Sequence, residues 1–278
     1  MAPFEFSISS LYLSRGIPRR RELEMLLDTG ISKIEVALSS WFPKSPNVLS
    51  GKSHSEAYRQ LSNIASSLCN GGMSVVGLHS IFFESTNLNV FAKCENTLNF
   101  LVSRIRYCNE LGGRFIVIGS PIARKTETNR EASLANYCWL LDRALEQTRD
   151  TDVAILTEAL PTCSVFSKVS DLMSLAHMFG SDRVGVHLDL NSMVASGEIG
   201  LFEAKSEIPL RHVHLNSKDF MPIASGQRKK ELAQLAQLLT INKYDQVIGL
   251  EYVTSADSTP DFDLLRSSTD YLLSLIHI

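Results

Sequence analysis

The chain lacks a paired cysteine framework. Its five cysteines, Cys69, Cys94, Cys108, Cys138 and Cys163, are odd in number, and no CxxC spacing occurs. The expectation is therefore reduced thiols in a cytosolic protein. A basic excess is also missing: 27 Lys plus Arg stand against 30 Asp plus Glu, a formal net charge of −3. A phosphate-backbone binder needs such an excess, so nucleic acid is not among the expected partners. No apolar run reaches the roughly 18 residues of a membrane helix, and the chain opens directly on Phe4-Glu5-Phe6-Ser7-Ile8. Neither a membrane span nor a cleavable signal is expected. Linkers, low-complexity stretches and internal repeats are absent as well. What is present is ordinary globular composition, 44% hydrophobic and 21% charged over 278 residues. Such a chain buries a large core without staples.

Along it runs a rhythm of short apolar segments: Phe4–Ile8, Lys33–Leu38, Ser74–His79, Arg114–Ile118, Val153–Glu158, Val184–Asp189, Arg211–Leu215 and Gln246–Glu251. Each is rich in Val, Ile, Leu or Phe and short enough for a buried parallel strand. Amphipathic segments fill the gaps. Tyr58, Leu61, Ile64 and Leu68 keep helical spacing before Gly71-Gly72, and Leu98, Leu101, Ile105 and Leu111 repeat it before Gly112-Gly113. Leu134 to Leu145, Val169 to Ala176, Leu232 to Leu239 and Leu264 to Leu272 follow suit. Strand–helix units of this kind predict an α/β fold, a single closed (β/α)8 TIM barrel over residues 1–278. A doubly wound open sheet is the rival. It would be expected to carry a GxGxxG turn after its first strand, and none occurs. Loop-like composition concentrates in Pro43–Ser53 and Ile122–Arg130, after strands two and four.

Polar residues crowd the far ends of these strands: Glu35, His79, Glu158, His187-Leu188-Asp189, His212-Val213-His214 and Glu251. Strand C-termini form the working face of such a barrel, so these side chains should converge. Several carboxylates in a small apolar space must be protonated or share a cation. Two Glu, one Asp and one His offer three oxygens and one nitrogen. That set suits one divalent ion (Mn, Mg, Co or Zn) with positions left open for water or substrate.

The motifs Leu156-Thr157-Glu158-Ala159-Leu160-Pro161, His187-Leu188-Asp189, His212-Val213-His214 and Gly249-Leu250-Glu251, in that order, resemble those of the xylose isomerase-like TIM barrels. That superfamily includes sugar isomerases and epimerases, inosose-processing enzymes and endonuclease IV. The resemblance implies Glu158, Asp189, His214 and Glu251 as metal ligands, with Glu158 and Glu251 as the acid/base pair of a ketose 3-epimerase-like reaction. Two departures stand out. Ser192 occupies the place of a His three residues after the strand-six Asp, and Phe220 that of an Arg six residues after the strand-seven His. Both family residues touch substrate, so free D-fructose and D-psicose are expected to be poor substrates. The segment Gly119-Ser120-Pro121-Ile122-Ala123-Arg124 instead resembles sugar phosphate isomerase/epimerase members, which makes Arg124 a candidate substrate contact.

Each residue also has a plainer reading. A glutamate at a strand end, taken alone, is more often ion-paired than ligating; the ordered set of four argues otherwise here. His212 shares a face with His214 but lies deeper, which favours a hydrogen-bonded structural role. His187 could orient Asp189 or the substrate. His79 is expected to reach substrate hydroxyls, and Glu35 either lines the pocket or satisfies polar groups of the barrel. Arg15 and Arg19-Arg20-Arg21 read as a solvated helix start, while His54, His177 and His277 have no constellation around them. The expected activity is a metal-dependent sugar, sugar-phosphate or inosose isomerisation or epimerisation by proton transfer next to a carbonyl. A dehydratase and a non-catalytic sugar- or partner-binding barrel are the alternatives. Endonuclease IV-type hydrolysis would need a richer histidine cluster. The expected partner is a small sugar or polyol, with a homo-oligomer left open.

Overall fold

The structure, a computed structural model, describes residues 4–42, 54–83, 87–126, 129–199, 208–255 and 258–276. Eight strands, β1 Phe6–Ser9, β2 Lys33–Val36, β3 Ser74–Leu78, β4 Phe115–Ile118, β5 Ala154–Glu158, β6 Val184–Asp189, β7 Leu210–Leu215 and β8 Ile248–Leu250, form a closed barrel in sequence order. Every pairing is parallel, and β8 returns to β1 through Phe6↔Ile248, Ser7↔Gly249 and Ile8↔Leu250. The ladder is not even around the ring. The β5–β6 pair matches four residues, whereas β3–β4 matches only Gly77↔Phe115 and Leu78↔Ile116.

Between the strands lie α1 Arg20–Asp28, α2 Leu38–Trp41, α3 His54–Asn70, α4 Glu95–Glu110, α5 Arg130–Gln147, α6 Val169–Phe179, α7 Leu190–Ser196, α8 Lys229–Ile241 and α9 Phe262–Ile276. Among the described residues, no helix is long and apolar enough to cross a membrane. The strands are mostly shorter than the apolar runs that encode them. β2 stops at Val36 because Leu38 already opens α2. β3 and β8 stop one residue before His79 and Glu251, yet the His79 amide still donates to Val36 O at 3.1 Å and the Glu251 amide to Leu215 O at 2.9 Å. Both side chains thus leave the strand on a fixed backbone. The Pro43–Ser53 loop and His277 lie outside the described residues.

Alternation of side chains sorts the core into two. Ile8, Ile34, Val36, Leu78, Val186, Leu188, Val213 and Leu250 are fully buried in the large cluster shared with the helices. Facing the barrel axis, Phe115, Val117, Ala154 and Leu156 make a small apolar cluster on one side. The other side is polar, with Ser7, Ser9, Glu35, His187, His212 and His214 all buried. Register brings Glu158 beside His187, His187 beside His212 and Asp189 beside His214.

Candidate metal and proton-transfer site

Glu35 anchors the floor of the site. Its carboxylate accepts from the Ser7 hydroxyl, lies 2.6 Å from His214 Nε2 and lies 3.0 Å from His212 Nε2. Burial alone would raise the Glu35 pKa, but the two imidazoles outweigh it and hold the carboxyl well below the usual range. Reciprocally, burial opposes charging of His214, yet Glu35, Glu251 and Asp189 push its pKa up to about 10. The arrangement depends on Gly249 of β8, since a Cβ there would sit 2.1 Å from Glu35 Oε1. With Nε2 given to Glu35, His214 presents Nδ1 to the cavity, 3.7 Å from Glu251 Oε2. A carboxylate behind a histidine is the usual device for fixing the ring of a metal ligand.

Above this floor, Asp189, His214 and Glu251 each offer a donor atom within 4.8 Å of the others. Asn216, fully buried just past β7, holds two of them in place. Its Oδ1 accepts from the Asn191 amide at 3.0 Å, which turns Nδ2 onto Asp189 Oδ2 and Glu251 Oε2 at 3.0 Å. Asp189 also caps α7, its Oδ1 accepting from the Ser192 amide at 2.7 Å. Glu158 stands outside that tight group of three but faces the same cavity. The Ser192 hydroxyl donates to its Oε1 at 3.3 Å. Its Oε2 occupies the space over Gly119, where a Cβ would come within 2.0 Å.

The charges explain what this set can hold. Burial, then Asp189 and Glu251, raise the Glu158 carboxyl well above its ordinary value. Burial likewise raises Glu251 to about 7, with His214 opposing and Asp189 reinforcing. Three carboxylates that repel one another beside one imidazole are the donor set of a hard or borderline divalent cation, which would relieve that repulsion. The residues present fit such an ion.

The other sequence candidates divide. His79 lines the cavity, its Nε2 3.0 Å from Ser9 Oγ and its Nδ1 3.8 Å from Glu251 Oε1. Burial, together with His214, pushes its pKa down to about 3, so the ring is neutral. Glu35, His187 and Arg124 are not among the described cavity-lining residues. His187 lies deeper, its ring edge-on to His214 at 4.3 Å between centroids, and neither ring nitrogen has a hydrogen-bond partner among the described residues. Arg124 is buried and donates to the Glu158 carbonyl at 2.7 Å and to the Ile118 carbonyl, tying the ends of β5 and β4 together. Phe220 and Ser192, the two departures noted in the sequence, both line the cavity. Asn216 was not singled out from sequence. The signal available was its place two residues after His214, on the same strand face.

A closed parallel barrel with carboxylates and a histidine gathered at its strand ends defines a class of TIM barrels. The family profile for xylose isomerase-like TIM barrels matches residues 26–275, and the chain belongs to that family. A probable endonuclease 4 of Mycoplasmoides gallisepticum is 27% identical over 164 residues. That match covers 58% of this chain and 42% of the relative, so the chain spans less than half of that protein's length. Among solved structures, an L-ribulose 3-epimerase superimposes with a TM-score of 0.76 at 14% identity, covering 100% of this chain and 95% of the other. A D-psicose 3-epimerase from Clostridium cellulolyticum H10, solved with D-tagatose, gives 0.72 at 13% identity over 98% and 99% of the two chains. At such identities the likeness is one of fold.

Proposed function

We propose that this chain is a divalent-metal-dependent isomerase or epimerase of sugars or related polyols, with Glu158 and Glu251 moving a proton next to a carbonyl. The observation that carries the reading is the convergence of Glu158, Asp189, His214 and Glu251 on one cavity, with burial raising Glu158 well above its ordinary value and Glu251 to about 7. Acid/base groups work best when their pKa lies near the working pH. The ketose 3-epimerases of the same fold agree with it. Asp189, His214 and the two glutamates would hold the ion, which when bound supplies Lewis-acid stabilisation of a developing enediolate. Glu158 and Glu251 rise from β5 and β8, so one removes the α-proton and the other returns it. Asn216 fixes Glu251, Ser192 steadies Glu158, and neutral His79 faces the substrate hydroxyls. A cytosolic setting belongs to the same reading and rests on five free cysteines.

Nucleic-acid hydrolysis, which the endonuclease relative brings to mind, is not supported by the cavity. No Lys or Arg is found among its described lining residues, and phosphate contacts are made chiefly by such groups. The test is proton exchange by NMR in deuterated water, with Mn, against ketoses, inososes and sugar phosphates. Loss of an α-proton signal with one of them is expected. A Mn-loaded protein that exchanges none of the panel would overturn the isomerase reading.

A further inference from the structure

The mouth of the cavity differs in chemistry from its floor. The charged and imidazole groups sit at the strand ends, while Leu11, Phe83, Leu160, Phe220 and Val253 supply side chains above them. Phe83 is 50% exposed and Phe220 36%. Ile122 and Met221, chain neighbours of the lining residues Pro121 and Phe220, are also exposed. These four are among nine large apolar side chains left exposed in the described residues, and two of them, Phe83 and Phe220, line the cavity. Scattered apolar side chains need no explanation; a contiguous apolar rim beside a polar pocket marks a binding surface.

Phe220 is held in place at a conformational cost. Its φ is +60°, a left-handed conformation in which a bulky non-glycine residue is a true outlier. The Val253 amide locks it by donating to Phe220 O at 2.8 Å. Strain of this kind persists where surrounding structure over-determines it, and it clusters at ligand sites. The cavity, about 410 Å³, lies within the usual range of small-molecule pockets and has room for a substituent beside a sugar ring. No basic group among the described lining residues meets a phosphate, and Arg124, three residues after the lining Pro121, is committed to two backbone carbonyls.

We infer that the substrate is a neutral sugar that keeps a free ketone and carries an apolar aryl or alkyl substituent elsewhere, whose apolar part packs on the rim of Phe83, Leu160, Phe220 and Val253. Simple glycosides, which lack the carbonyl, serve as binding probes of that rim. The inference rests on the proposed isomerase site for the polar end only. Its test is binding rather than turnover. Isothermal titration of the full-length, Mn-loaded protein compares 4-nitrophenyl glycosides with methyl glycosides in the gluco, galacto, manno and xylo series, with glucose 6-phosphate alongside. At least one aryl glycoside is expected to bind about tenfold or more tightly than its methyl partner, given that even single methylenes are worth about tenfold in apolar pockets. Phe83→Ala and Phe220→Asn should each shrink that ratio severalfold, weakening the aryl glycoside more than its methyl partner; asparagine tolerates the left-handed backbone. Equal affinities within every pair, including no binding by either, would overturn the inference. So would tighter binding of glucose 6-phosphate than of every aryl glycoside. A protein that shows the aryl preference but never exchanges an α-proton keeps this inference and sinks the isomerase reading. Turnover of free ketoses without an aryl preference does the reverse.

Discussion

At the scale of single residues, ligation and proton transfer make different demands on a carboxylate. Glutamine keeps the size of glutamate and one ligating oxygen but accepts no proton at neutral pH. Glu251→Gln should therefore leave a folded, partly metal-loaded protein whose α-proton exchange falls by about 10²–10⁴-fold. Asp189→Asn should act through metal affinity, so excess Mn recovers much of its activity. Rate and metal content measured together separate the two, and equal rescue by Mn would make Glu251 a ligand only. Glu35 makes a third case. It lies out of reach of the cavity, with its effect passed through His214. Glu35→Gln should lower Mn affinity by about 10–100-fold, read by titration against a chelator. Unchanged affinity would reduce Glu35 to a structural acceptor.

How far these residues could be read from sequence follows from the kind of signal each gives. Glu158, Asp189, His214 and Glu251 stand at the ends of apolar runs, where a charge has no reason to be unless the chain needs it, and the structure puts all four on one cavity. Asn216 carries no charge and titrates nowhere, so nothing in the bare sequence marks it, although it bridges Asp189 and Glu251. Arg124 was legible as a cation but not as a clamp. Backbone carbonyls have no sequence signature, and only the folded ends of β4 and β5 show where its guanidinium goes.

Among the elements, periodicity located all eight strands, while their ends shifted by one or two residues. The segment after β6 showed no long amphipathic pattern, because α7 has seven residues and is set by a cap at Asp189 rather than by an apolar stripe. The β4–β5 junction carries its own expectation. Arg124→Ala removes the donors of the Glu158 and Ile118 carbonyls, and a buried acceptor left unpaired costs about 1–3 kcal/mol. Urea unfolding should show a loss of that order, with β5 no longer pinned beneath Glu158. A loss within about 0.5 kcal/mol, the usual effect of a surface substitution, would mean the clamp is dispensable.

For the molecule as a whole, the site is a source of strain when no cation is bound. A carboxyl whose folded pKa is raised stabilises the fold below its unfolded value and loses that contribution as pH climbs through the folded one. For Glu251 the window runs from the ordinary carboxylate value, 4.5, to about 7. In EDTA, Glu251→Gln should match the wild type near pH 4.5 and melt at progressively higher temperature than it as pH rises from 4.5 to about 7, the gap levelling off above that. Parallel melting curves across that window would show that Glu251 does not feel its burial.

The uneven ladder has a further consequence. A closed ring of strands cannot fray from an edge, so its slow openings must begin at the weakest join. That join is β3–β4, matched over two residues, and it lies on the arc away from β5 to β8, which carry Glu158, Asp189, His214 and Glu251. Amide hydrogen exchange should find Arg114, whose N–H crosses to Val76 O at 2.8 Å, releasing its proton sooner than Leu188 or Val213 on the densely laddered side. The barrel can then breathe like a split ring, parting on one flank while the opposite flank keeps its acidic groups at constant spacing.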